Sequence, residues 1–163
     1  MNTLQFWHGG NLRDYHNFRG NKKGHYEYGP GLYLTTHKPT AERYAKGSRS
    51  LYCVTVKPGN DINNAVLAYD ILKSFVSSYV IRSQRSAVIE RLQVHVKGGN
   101  VKAYIFNNLL CNAFAVKPSN TRRLRDFYVN HGIDYQIVDN PFGWGEQMMV
   151  LYNTNLITQI TKP

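Results

Sequence analysis

Three sets of residues have types and spacings suited to holding a flat cationic ring and breaking a bond to it. His8 and Gly9 end a short apolar run near the N-terminus, and Tyr33 and Tyr44 lie eleven residues apart. Glu146 precedes a late apolar run. A glycine allows close approach to the backbone N–H and C=O, and two tyrosines can stack on a ring for about 0.5 to 2 kcal/mol. A carboxylate stabilises positive charge as the bond breaks.

The hydrophobic pattern predicts the elements that position these residues. "LQFWHGG", "LYLTT", "SLYCVTVKPG", "IDYQIVD" and "EQMMVLYN" are typical of strands, and "KPTAERYAKG" has the punctuation of a short helix. From about residue 62 to 114 the apolar residues recur at helical spacing, with one long helix from about residue 65 to 80, and "PSNTRRLRDFYVNHG" predicts a further helix. Strands at both ends must pair across this helical middle. The pattern therefore predicts one α+β domain over residues 1–163 with a mixed or antiparallel sheet.

Composition narrows the function classes. Twenty Lys and Arg against ten Asp and Glu give a net charge of +10, which favours polyanionic partners such as nucleic acids or nucleotides. The two cysteines, Cys53 and Cys111, have no zinc-ligand spacing, which predicts no structural metal and a reducing compartment. No stretch approaches the roughly 20 apolar residues of a membrane span, so we expect a cytoplasmic protein that does not enter membranes.

Taken in order, these motifs resemble the ADP-ribosyltransferase superfamily, in its His-Tyr-Glu class of poly(ADP-ribose) polymerase and diphtheria-toxin-like enzymes. The resemblance rests on four motifs: "HGG" after the first strand, "GLYL" in a later strand, a second tyrosine eleven residues after the first, and a late glutamate before an apolar run. The match covers about the first 50 and the last 30 residues, and the helical middle matches nothing in the class. The resemblance implies a split sheet with an inserted helical segment, and NAD as the substrate.

The resemblance also implies a role for each residue. Gly9 would bind the nicotinamide carboxamide through its backbone, and His8 would donate to the adenosine-side ribose. Tyr33 and Tyr44 would clamp the nicotinamide ring. Thr40, one helical turn before Tyr44, would supply a small hydroxyl to the carboxamide.

The residue that polarises the reacting ribose is open between two neighbours. Glu146 has the charge that the chemistry requires, whereas counting back from "MMVLYNTNLI" places Gln147 as well at the glutamate position of the class. Neighbouring residues of a strand point to opposite faces, and both faces of this strand are apolar, so the pattern does not choose. Gln147 in the cleft could bind a ribose but could not deprotonate an acceptor. That arrangement would favour a single transfer onto a good nucleophile.

These features together predict a small mono-ADP-ribosyltransferase that acts on a protein or nucleic acid. It resembles the phage or bacterial members of the superfamily. We expect it in the cytoplasm, which would be the host cytoplasm if the protein is phage-encoded. Two alternatives are an NAD glycohydrolase, which needs no acceptor, and a non-catalytic basic module that binds a nucleotide or nucleic acid. The loop "RDYHNFRGNKKGHYEYGPG" is a candidate lid. His37 is interpreted as a polar surface or loop residue. Arg122, Arg123 and Arg125 are interpreted as a solvated helix face, with contact to an acidic acceptor as the alternative.

Overall fold

The computed structural model describes residues 3–10, 12, 29–45, 50–139, 141 and 145–163. The predicted lid spans residues 13–31, and all of it before Gly29 lies outside this part of the chain. The described strands are β1 Leu4–Gly9, β2 Leu32–Thr35, β3 Leu51–Val56, β4 Val66–Ala68, β5 Asn100–Lys102, β6 Tyr135–Asp139, β7 Gln147–Leu151 and β8 Ile157–Thr161. The described α-helices are α1 Lys38–Ala45, α2 Tyr69–Tyr79, α3 Arg85–Val94, α4 Ala103–Asn112 and α5 Thr121–Asn130.

The main sheet joins the two ends of the chain. Its strand order is β6-β7-β2-β1-β3-β8, and each neighbouring pair is antiparallel. Strand β2 of the N-terminal third pairs with β7, and β3 pairs with β8, as the predicted long-range pairing requires. The α+β class with an antiparallel sheet is thus confirmed.

The sheet curls so that one face is enclosed. Tyr135 of β6 packs in one apolar cluster with Val54 and Val56 of β3, although three strands separate β6 from β3 in the sheet. Its hydroxyl accepts from the N–H of Gly59 and donates to the C=O of the same residue, both at 3.0 Å. Gly59 lies three residues after the end of β3, so these hydrogen bonds connect β6 to the segment that follows β3.

The helical middle covers the other face. Helices α2, α4 and α5 meet around Phe75, whose ring centroid lies 5.9 Å from that of Phe106 and 4.9 Å from that of Phe127. Met148 and Val150 of β7 belong to the same apolar cluster. Since β7 is covered on both faces from Met148 to Leu151, its sequence is apolar over these four residues and shows no alternation there.

The structure differs from the predicted elements in two places. The predicted long helix begins only at Tyr69, because residues 66–68 form β4 and pair with β5 in a small hairpin. Strands of three residues are too short to show a period. Strand β8 was not predicted, since its isoleucines, Ile157 and Ile160, break the two-residue alternation where its pairing with β3 shifts register.

Among the described residues, no helix has both the length and the apolar character to cross a bilayer.

Candidate functional site

Helix α1 lies against β1 through small residues. Thr40, Ala41 and Ala45 are its buried side chains, and the two alanines pack with Trp7 of β1 and Leu51 of β3. The contact is closest at Gly9, where a Cβ would lie 1.8 Å from the carbonyl oxygen of Ala41. Glycine is therefore required here by the helix, a reason different from the ligand approach that the sequence suggested.

The backbone of Gly9 still points toward a place where two strands part. The N–H of Gly10 donates to the C=O of Ser50 at 2.7 Å, so alternation turns the N–H and C=O of Gly9 away from β3 and toward β2. In the described residues, β1 and β2 share a single registered pair, Trp7 with Thr35. Beyond that pair the ladder opens beside Gly9.

His8 lies at this opening. Its Nδ1 is 2.9 Å from the C=O of Tyr33, a carbonyl that alternation turns toward β1. Because a carbonyl only accepts, Nδ1 carries the proton and donates. Burial lowers the pKa of His8 below its ordinary value of 6.5, an effect that the hydrogen bond to Tyr33 partly opposes. The ring is then neutral at pH 7 and Nε2 is an acceptor, so the predicted donor role toward a ribose would require the imidazolium form.

Glu146 is the centre of a buried hydrogen-bonded group. Its side chain is only 3% exposed. Thr35 of β2 donates its hydroxyl to Oε2, and Thr40 of α1 donates to Oε1 at 3.2 Å. Both threonines are themselves buried. The carboxylate is thus held between the strand and the helix that carry the two tyrosines of the sequence motif.

Gln147 lies on the opposite side of β7. It is exposed, and its Nε2 donates to Oδ1 of Asp139 on β6 at 2.7 Å. Its backbone N–H donates to Oγ1 of Thr36 at 2.9 Å. Of the two candidates that the sequence left open, Glu146 is therefore the one that faces α1 and β2.

The two tyrosines differ in exposure. Tyr44 is 67% exposed and lies one turn after Thr40 on α1. Tyr33 is half-buried, and its hydroxyl donates to the C=O of Gly29 at 2.8 Å. The last turn of α1 lies at Gly9, since a Cβ there would be 2.8 Å from the N of Ala45. Helix α1 thus extends from Glu146 at its start to the opening beside Gly9 at its end. The ring of Tyr44 is accessible at the end near Gly9.

Sequence reasoning missed two members of the carboxylate group. Thr35 was not singled out, although it lies two residues after Tyr33 and so shares its face of β2. His37 was interpreted as a surface residue, but its Nδ1 lies 2.9 Å from Oγ1 of Thr40. Thr40 gives its only proton to Glu146, so the His37 ring must donate and thereby orients that hydroxyl. The spacing "TTHKPT" was the available signal, because residues three apart meet at a helix start.

No group of three or more His, Cys, Asp or Glu side chains in the described part of the chain is arranged to hold a metal ion.

Comparison with known proteins gave little. No protein-family model matches the chain, and no curated protein matches it. Among solved structures, the crystal structure of an anti-CRISPR protein aligns with 99% of this chain and 96% of its own, with 12% sequence identity and a TM-score of 0.44.

Proposed function

We propose that this chain is an NAD-dependent mono-ADP-ribosyltransferase whose curled antiparallel sheet is of the ADP-ribosyltransferase type. It cleaves the bond between nicotinamide and ribose and transfers ADP-ribose to a macromolecular acceptor. The observation that carries the proposal is the buried carboxylate of Glu146, held by hydroxyls of Thr35 and Thr40. A buried carboxylate is costly unless it is bonded in this way, so a polar group at this position needs a reason beyond packing.

The second support is the spatial order of the motif residues along α1. Thr40 at the start of the helix lies at Glu146, and Ala45 at its end lies at Gly9. The opening beside Gly9 offers a backbone donor and acceptor for a carboxamide, and Tyr44 offers an exposed aromatic face for the nicotinamide ring. Tyr33 would supply the opposite face.

In the proposed reaction, the C–N bond breaks and nicotinamide leaves with the bonding electron pair. Positive charge then develops on the ribose, as in other glycosyl transfers. An ionised carboxylate accepts about four hydrogen bonds, so Glu146 can hold both threonines and a ribose hydroxyl. Its negative charge stabilises the ribosyl cation until the acceptor attacks. His37 acts through Thr40 as a positioning residue.

The test is nicotinamide release from NAD by the purified protein, with and without a cell lysate as a source of acceptor. Glu146→Gln keeps the shape and removes the charge, and we expect it to lower the rate about 10²- to 10³-fold. Gln147→Ala is the matched control on the next residue and should leave the rate unchanged. Tyr44→Ala should raise KM for NAD, because one face of the ring clamp is lost.

The other outcomes separate the rivals. Release at the same rate without lysate would identify a glycohydrolase. If no nicotinamide appears and NAD does not raise the melting temperature, the NAD proposal is wrong. A missing inward carboxylate would favour the non-catalytic module, and the inward position of Glu146 supports the enzyme instead.

A further inference from the structure

Two segments of the helical part of the chain contain many cations and no carboxylates. Segments 71–89 and 103–125 contain seven Lys and Arg residues and no Asp or Glu. In the whole chain there is one acidic residue for every two basic ones, so the segregation is local. The seven are Lys73, Arg82, Arg85, Lys117, Arg122, Arg123 and Arg125.

The fold brings the two segments together at the C-terminal end of α2. Val80 forms an isolated antiparallel bridge with Val116, and the N–H of Ile81 donates to the C=O of Ala115 at 2.8 Å. Because the pairing is antiparallel, its register places Lys117 opposite Tyr79, while Arg82 follows two residues after Val80.

Four of the cations adjoin Tyr79 or the bridge between Val80 and Val116, and form what we call the basic face: Arg82, Arg85, Lys117 and Arg123. Arg82, Lys117 and Arg123 are exposed, and the guanidinium carbon of Arg123 lies 5.9 Å from the centroid of the half-buried Tyr79 ring. Arg85 is half-buried and its Nε donates to the C=O of Val80 at 2.9 Å, which also caps α2.

Arg125 does not belong to this face. The prediction that it is solvated is wrong, because it is buried at 8% exposure and pairs with Asp126 at 3.6 Å. Arg125 affects the basic face through Asp126, which is the first carboxylate after the cationic segment of α5 and could otherwise pair with a cation of the face. That carboxylate is engaged with Arg125 rather than with Arg123.

We infer that the basic face binds the phosphodiester backbone of a nucleic acid. Exposed arginines and a lysine attract phosphates, and the half-buried Tyr79 ring with the Arg123 guanidinium near it offers an aromatic and a cationic group to a base. An acidic protein would use the charge but not the aromatic ring, so the nucleic acid is the better fit. The binding step is independent of NAD. Only the naming of nucleic acid as the acceptor class rests on the proposed function.

The test is fluorescence anisotropy with a labelled single-stranded oligonucleotide and a labelled duplex, without NAD, over a series of NaCl concentrations. The variant is Arg82→Ala/Lys117→Ala/Arg123→Ala, and Arg85 is kept because it caps α2. The control, Lys57→Ala/Lys97→Ala/Lys102→Ala, removes the same charge from exposed positions outside the basic face. Melting temperatures establish that both variants are folded.

Each replaced phosphate contact should lower the slope of log affinity against log salt by about 0.9 for the duplex and about 0.7 for the single strand. We therefore expect the triple variant to lose about two to three in slope, and the control to keep the slope of the unmodified protein. Arg123→Lys should keep the slope but weaken single-strand binding, because the charge remains while the planar guanidinium beside the Tyr79 ring is lost.

Three results would overturn the inference. One is the absence of binding at low salt. The second is an equal loss of slope in both triple variants, which would mean that net charge alone acts. The third is a poly-glutamate peptide that competes as well as an oligonucleotide of equal charge, which would assign the face to acidic proteins. None of these depends on whether the chain cleaves NAD.

Discussion

Two buried polar groups of this protein have similar geometry and different chemistry. In the sheet region, Thr35 and Thr40 donate to the carboxylate of Glu146. In the helical middle, Tyr128 donates its hydroxyl to Oδ1 of Asn107 at 2.7 Å, and both of these residues are fully buried. Each group joins distant segments of the chain, and each satisfies its polar atoms by hydrogen bonds.

The difference lies in charge and in position. Burial raises the pKa of Tyr128 well above its ordinary value, so its phenol stays neutral, and it raises the pKa of Cys111 beside it to about 12. The middle group is therefore a neutral tie that holds α4 to α5. The acceptor of the other group is a carboxylate that directly precedes β7 and lies at the start of α1, whose last turn lies at the place where β1 and β2 part. Burial of polar atoms alone does not indicate function, and the proposed role of Glu146 rests on its carboxyl group and on its place at the start of α1.

The largest expected effect tests the contact that holds the site together. Gly9→Ala should unfold the protein or displace α1, at a cost above the roughly 1–3 kcal/mol of ordinary overpacking, because the obstructing atom is a backbone oxygen. Urea denaturation measures the loss. Gly98→Ala is the control: its Cβ has open space but a φ of +58°, so it should cost only about 1 kcal/mol. Equal losses for the two variants would contradict the close contact of α1.

The next effect compares the two polar groups directly. Thr40→Val removes a donor to a carboxylate and should cost about 1.5–3 kcal/mol of unfolding free energy and most of the nicotinamide release. Tyr128→Phe removes a donor to an amide and should cost about 1–2 kcal/mol while the turnover of the folded protein stays unchanged. Denaturation and turnover are measured on the same preparations. If Tyr128→Phe lowers turnover as much as Thr40→Val does, the two polar groups do not differ in function and the proposed role of the Glu146 group is contradicted.

The smallest effect is a pH dependence from His8 at the opening. Its pKa is lowered in the folded protein, so the unfolded chain binds the proton first as pH falls. The contribution of His8 to stability is therefore complete above pH 6.5 and declines below it, by at most about 1.4 kcal/mol per pH unit.

Denaturation at pH 7.5 and at pH 5.5 measures this loss against His8→Gln, whose amide can still donate to Tyr33 but does not titrate. The unmodified protein should lose more stability on acidification than the variant. The same loss in both proteins would place the titrating group elsewhere.

Much of the element order was predictable because local patterns carry it. The strand from Leu51 and the helix from Thr121 showed their periods within the segment itself, and both form where they were predicted. The short β4 and β5 and the bulged β8 could not be predicted, since their pairing partners rather than their own patterns define them.

The sequence by itself determined which residue types are available: a His-Gly pair, two tyrosines at a spacing of eleven, and adjacent Glu and Gln before an apolar strand. Only the tertiary structure decided their roles in the fold. It placed Glu146 against α1 and β2 and Gln147 on the far side, added Thr35 and His37 to the group, and gave Gly9 a packing reason for being glycine. The physical reason is that strand alternation fixes only relative direction. Which face is inward depends on the helices that cover the sheet, and both faces of β7 are covered here.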